Sequence, residues 1–354
     1  GMVLLKNEGN ILPLDIDRIK KIAIVGKHAG LKFGRSKLGG GSSAVLPPYE
    51  ITIREGLKAR CRGKIEIVDD PASADVAIAC VGLEHTHDFK GGDHEGSDRL
   101  RYGLGFKQNR LVQQCVDQNP NTIVVCVNGQ PFSVEKFQAR VPAILEAWYG
   151  GMEIGSSVAA ILLGDVNPSG KLPVSWPREK RDIPTALSFL KTVFGPKQVS
   201  YDEGVFIGYR YFDTKGEKDG RQVRFCFGHG LSYTNFSFGP ISMSTHEILD
   251  DEICKISCPI KNDGVTSGAE IVQLYVEPVN PPMNRPVKEL KGFQKIFLSP
   301  SEDNMVTFLL DKRSFSCFNE ERGIWVAEEG EYKVLLGSSS GDIRKACGVT
   351  YGNN

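Results

Sequence analysis

Five short runs in the first half of the chain set the limits on its fold: KIAIVG (21–26), KIEIV (64–68), DVAIACVGL (75–83), NTIVVCVNG (121–129) and AILEAW (143–148). They are rich in β-branched residues and almost wholly apolar. Runs without a polar side suit strands buried on both faces of a parallel sheet. Helical patterns stand between and after them, in YEITIREGLKARC, FKQNRLVQQCVDQ and IGSSVAAILLG. Strand and helix alternating in this way predict an open, mostly parallel α/β sheet covered by helices. Such sheets carry their functional loops at the carboxyl ends of the strands. The glycine-rich segment after Leu83, EHTHDFKGGDHEGSDRLRYG, therefore falls where a site is expected.

From about residue 165 the pattern changes. GDVNPSGKLPVSWP is rich in turn residues, and REKRDIPTALSFLKTVFGPKQ reads as an irregular connector. Beyond FGHGLSY come DEICKISCPIKN, AEIVQLYVEP, KGFQKIFLSP, NMVTFLLD and GEYKVLLGSS, runs broken by Gly, Pro and Asn at regular intervals. That spacing predicts an all-β sandwich of the immunoglobulin or fibronectin III kind. A chain of 354 residues also exceeds what one core usually organises. Two domains are expected, residues 1–210 and 211–354.

Charge and composition exclude several function classes. Lys plus Arg and Asp plus Glu number 43 each, so no global field favours nucleic acid or an anionic membrane. No run approaches the ~20 apolar residues of a membrane-spanning helix. The nine cysteines include no C-x-x-C pair and read as reduced structural thiols, which favours a reducing compartment. The opening GMVLLKNEGNILPL has no leader pattern, and its glycine before methionine reads as a tag remnant. The natural start is then expected upstream, which leaves a periplasmic or secreted location open.

Familiar ligand motifs fail on spacing. GDVNPSGKL has five residues between Gly164 and Gly170 where a phosphate loop has four, and Leu172 stands where a Ser or Thr must bind Mg²⁺. GKHAGLKFG lacks the dinucleotide spacing. KLGGGSSAVLPPY (37–49) reads as a surface loop whose glycines permit close backbone approach. His85, His87, Asp88, Asp93, His94 and Glu95 are all capable ligands, but H-x-H on a loop without a further fixed ligand is a weak metal pattern. Neither metal nor cofactor is expected. No nucleophile elbow or Cys–His context is present, and on composition alone Glu95 is a solvated carboxylate.

Longer segments change that reading. VLLKNEGNILPLD, ILEAWYGGMEIGSSVAAILLGDVNPSGKLPVSWP, YDEGVFIGYRYFD, FCFGHGLSYTNFSF and EIVQLYVEPVNPPMNRPVKELKGFQKIFLSP together resemble the C-terminal part of glycoside hydrolase family 3, the β-glucosidase and β-xylosidase family. They follow the family's order from about residue 3 to residue 336. The resemblance implies an α/β sandwich and a fibronectin-type-III-like domain, normally preceded by a (β/α)₈-like barrel that this chain does not include. It also implies that the loop pattern E-G-x-D-R supplies the general acid/base. Glu95, Gly96, Ser97, Asp98 and Arg99 match that pattern, with Asp93 and Glu84 as fallback acids. Asp98 and Arg99 are expected to fix the loop. Of the family's following L-x-L-P-x-x-Q, Leu104 and Gln108 are kept and Gly105 replaces the proline; Cys226 likewise stands where proline is common.

Retaining glycoside hydrolysis needs two carboxyl groups ~5–5.5 Å apart, and in the family the nucleophile lies in the barrel. The expected partners are thus a β-linked glucoside or xyloside and an N-terminal barrel, in the same or a separate chain. The chain alone is expected to be inactive, and the face that meets the barrel, around GGGSS and the Glu95 loop, is expected to expose apolar side chains. The alternative function is a free-standing, non-catalytic module that binds carbohydrate or protein.

Overall fold

The computed structural model describes residues 1–32, 45–61, 63–84, 93, 99–186, 188, 195, 201–250 and 252–352. Glu95 and Asp98, the GGGSS segment and most of the proposed ligand cluster (His85, His87, Asp88 and His94) lie outside these residues. The chain divides into two compact units. The first comprises Gly1–Gly170 and Trp176–Lys180, the second Lys171–Ser175 and Arg181–Asn354.

The first unit is built on a six-stranded sheet: β1 (Val3–Asn7), β2 (Lys21–Val25), β3 (Glu66–Val68), β4 (Val76–Gly82), β5 (Thr122–Val127) and β6 (Ala143–Glu146). Their order across the sheet is β1-β6-β5-β4-β2-β3. All pairings are parallel except that of β1 with β6. Each of the five apolar runs contains one of the parallel strands. β4 and β5 are buried at every residue, which is why neither shows a polar alternation. β1 carries no strand pattern of its own; it pairs through contacts about 140 residues away, for example Val3 with Glu146.

Three helices accompany the sheet: α1 (Ile53–Cys61), α2 (Phe106–Gln118) and α3 (Ile154–Leu162). In α2 the buried residues Asn109, Val112 and Cys115 repeat every third position and form one inward stripe. In α3 the burial is nearly continuous. Strand order reverses between β2 and β4, so the crevice outside their carboxyl ends is the topological switch point of this sheet.

The second unit holds the predicted β-sandwich. One sheet pairs Cys254–Asn262 with Asp303–Leu310, Ser242–Met243 and Phe236–Phe238. The other runs through Glu247–Ile248, Asp342–Tyr351, Gly330–Ser339, Gly268–Pro278 and Glu289–Leu298. The inward residues of Cys254–Asn262 alternate strictly with outward ones, and Ile256, Cys258 and Ile260 join Val272, Leu274, Val334 and Leu336 in one core. The strand Asp342–Tyr351 has no apolar alternation to announce it, because DIRKACGVTY buries only Val349 and Tyr351.

Candidate active-site loop

Four of the parallel strands, β2, β4, β5 and β6, each deliver part of the site beyond their carboxyl ends. After β2, Lys27 Nζ donates to both carboxylate oxygens of Glu84, which follows β4, at 2.8 Å. The pair spans the switch point. Both carboxylate oxygens of Glu84 are thus occupied by one lysine.

Asp93 is held more deeply. It is only 4 % exposed, and its amide donates to Glu84 O at 2.7 Å, closing the excursion that begins after β4. Its Oδ2 accepts from Gly129 N–H at 2.6 Å and from the Tyr149 hydroxyl at 3.0 Å. Gly129 follows β5 and Tyr149 follows β6, so one carboxylate ties the loop to two neighbouring strand ends. Burial and the Asp93 charge hold the Tyr149 phenol far above its ordinary pKa, keeping it a donor.

The far side of the loop is pinned in the same manner. Arg99 Nη2 donates to Pro131 O at 2.8 Å. Burial lowers the Arg99 pKa, and the Asp93 charge opposes that shift. Ser133 N–H donates to Tyr102 O at 2.7 Å, and Gly103 bridges to Ser133 in parallel. Gln108 then reaches back to β4: its Oε1 accepts from Gly82 N–H and its Nε2 donates to Gly82 O, both at 2.9 Å. That amide satisfies both backbone groups at the strand's last residue.

Glu146, the last residue of β6, was not singled out from the sequence. Its signal was a lone charge inside the apolar run AILEAW, and it is fully buried. Oε1 accepts from Trp148 N–H at 2.8 Å. Oε2 and the Oδ1 of Asn128 each lack a donor among the described residues, although Asn128 belongs to the hydrogen-bonding surroundings of Glu146. Burial pushes the Glu146 pKa well above the carboxylate range, the bonds from Trp148 and Asn128 oppose this, and nearby Asp93 adds to the rise. Its burial therefore disfavours the charged form of the carboxyl group.

Comparison with known proteins places this arrangement. The sequence model of the glycosyl hydrolase family 3 C-terminal domain matches residues 2–209. The chain belongs to glycoside hydrolase family 3. A fibronectin type III-like domain matches residues 270–340. The thermostable beta-glucosidase B of Acetivibrio thermocellus is 39 % identical over 97 % of this chain, which covers 46 % of that protein. A beta-glucosidase of Kluyveromyces marxianus is 41 % identical over 79 % of this chain, covering 33 % of that protein. Among solved structures, a family 3 beta-glucosidase of Bifidobacterium adolescentis superposes with a TM-score of 0.85 at 31 % identity, over 99 % of this chain and 51 % of that one. The Kluyveromyces marxianus beta-glucosidase in complex with glucose gives 0.87 at 26 % identity, over 99 % and 60 %. Against the curated relatives, the chain thus spans about a third to a half of their length. It corresponds to the C-terminal region of family 3 β-glucosidases.

The buried Glu146 makes the stability of this family 3 domain depend on pH. Its pKa is raised on folding, so the stability it contributes is full below the unfolded value of ~4.3 and is lost as pH climbs through the folded value. Glutamine does not titrate, and it keeps an acceptor for Trp148 N–H. Glu146→Gln is expected to match the wild type near pH 4 and to exceed it by more than about 1 kcal/mol at pH 8. Thermal melts across that range check this; a difference that does not change with pH contradicts it.

Proposed function

We propose that this chain supplies the general acid/base, Glu95, to a retaining, exo-acting β-glucosidase whose nucleophile is carried by an N-terminal barrel in the same or a separate polypeptide. The observation that supports this most directly is how the other candidate acids are used. Glu84 is doubly bound to Lys27, and Asp93 is buried under two donors. Of the three carboxyl groups considered, this leaves Glu95, the one in the family's E-G-x-D-R pattern. In glycoside cleavage a protonated Glu95 gives its proton to the leaving oxygen while the nucleophile attacks the anomeric carbon. The resulting carboxylate then takes a proton from the water that hydrolyses the glycosyl–enzyme bond.

Both halves of this chemistry need a facing group. A glutamate acts as an acid near neutral pH only when its pKa rises from ~4.3 toward 6, through burial and a neighbouring carboxylate. The barrel would bring both. Exposed apolar side chains fit that role: Val45 at 76 % and Leu46 at 82 % lie just beyond the GGGSS segment, and Phe106 at 73 % follows the Glu95 loop. The substrate class is a β-linked glucoside or xyloside, and the relatives, named beta-glucosidases, support the glucoside. In this reading the two family modules meet near residue 210.

The purified 354-residue chain is expected to release no nitrophenol from an aryl β-glucoside by itself, and to release it once joined to or mixed with a family 3 barrel. Turnover by the chain alone, abolished by Glu95→Gln, would overturn the division of labour. Tight binding of an oligosaccharide without turnover in either setting would favour the non-catalytic module instead.

A further inference from the structure

We infer that Asp93 is a positioning residue, whose carboxylate latches the Glu95 loop onto the segment 129–133 and so aims the proton donor. The inference deepens the assignment of Glu95 as acid/base and rests on it. The segment 129–133 works as a rail, gripped at every second residue. Gly129 N–H is held by Asp93, Pro131 O by Arg99, and Ser133 N–H by Tyr102 O. Only residues 94–98 lie between the first two grips. Glu95 is two residues from the latch, so the two Cα atoms are at most about 7 Å apart.

Two features mark the latch as more than a satisfied surface group. First, a carboxylate 4 % exposed is costly unless charge-assisted bonds offset its lost hydration, and Asp93 has two on a single oxygen. Second, Gly129 leaves it room. A Cβ at that position would lie 2.9 Å from the Tyr149 ring and 3.0 Å from Asp93 Oδ2, so a larger residue would push the partners apart. Orientation of a proton donor is steep in its effect, since a misplacement of ~1 Å can cost ~100-fold in rate.

The test compares Asp93→Ala, Asp93→Asn and Gly129→Ala with Glu95→Gln in the complete enzyme containing this chain. Two substrates report on the proton: cellobiose, whose sugar leaving group requires it, and 2,4-dinitrophenyl β-glucoside, whose leaving group does not. Asp93→Ala and Gly129→Ala are expected to lower kcat/KM on cellobiose by about 10- to 100-fold while changing the dinitrophenyl value less than about threefold. Asp93→Asn, which keeps an acceptor for Gly129 N–H, is expected to recover much of the loss. Equal losses on both substrates, or none, would overturn the positioning role.

Hydrogen exchange on the 354-residue chain is the second arm. Asp93→Ala is expected to strip protection from the Gly129 amide and from the amide of residue 93, and unchanged protection overturns the latch. If Glu95→Gln itself shows no discrimination between substrates, the acid/base reading fails, and the exchange arm then decides the latch by itself.

Discussion

Glu95→Gln is expected to lower kcat/KM of the complete enzyme on an alkyl or sugar β-glucoside by about a hundred- to ten-thousand-fold, the usual contribution of a positioned acid/base group. On 2,4-dinitrophenyl β-glucoside the same variant should keep most of its kcat/KM, because that phenolate departs without a proton. Its kcat should nevertheless fall, since hydrolysis of the glycosyl–enzyme bond still needs the base, and a burst of dinitrophenolate should precede the slow steady state. Azide, which attacks without giving up a proton, should restore turnover and yield the glucosyl azide. The corresponding variants of the fallback acids separate the roles. Glu84→Gln breaks a partly exposed ion pair with Lys27, worth at most about 1 kcal/mol, and should leave the leaving-group dependence unchanged. Stopped-flow and steady-state rates on the two substrates check all of this. Uniform loss for Glu95→Gln would mean that the residue supports the fold and does not move a proton.

The second large effect is expected in the core of the α/β unit. α1 and α3 meet with no side chain between their first turns. Gly155 N–H donates to Ile51 O at 3.0 Å, and a Cβ on Gly155 would lie 2.0 Å from Thr52 O and 2.7 Å from Ile51 O. The facing glycine is as constrained: a Cβ on Gly56 would lie 2.2 Å from Gly155 C. Ala in place of Gly in a helix normally gains about 1 kcal/mol. Here the obstacle is backbone and cannot rotate away, so the helices must separate, and overpacking of this kind costs about 1–3 kcal/mol or more. Overpacking wins, and Gly155→Ala is expected to destabilise the unit by about 3 kcal/mol at the upper end of that range, a fall in melting temperature of roughly 6–12 °C for a unit of this size. Gly30→Ala is the control, because nothing lies within 4 Å of its Cβ; it should stay within about 0.5 kcal/mol of wild type. Calorimetry on the three proteins distinguishes the outcomes, and a neutral Gly155→Ala would show that the helices yield without cost.

Much of the architecture was legible because burial on both faces leaves a local trace. VAIACVG and TIVVCV needed no context to be read as central strands, and FKQNRLVQQCVDQ marks the bounds of α2 as observed. The β-sandwich announced itself through alternation, clearest in CKISCPIKN. Elements stabilised by distant partners left weaker traces. Val3–Asn7 becomes a strand by pairing with Ala143–Glu146, and the polar DIRKACGVTY becomes one by pairing with GEYKVLLGSS. The hairpin of Ser316–Asn319 with Ile324–Ala327 was missed for the same reason, lying within a stretch of mixed polarity.

The site divides along the same line. The order of the residues in HEGSDR, and their place after a parallel strand, come from the linear chain and are enough to nominate Glu95. Nothing in that order shows that Asp93 is consumed by Gly129 and Tyr149, 36 and 56 positions away, that Glu84 answers Lys27, or that Gln108 closes the end of β4. Periodic burial is written into neighbouring residues, whereas the pairing of a donor with a buried carboxylate exists only after the sheet has brought distant strand ends side by side.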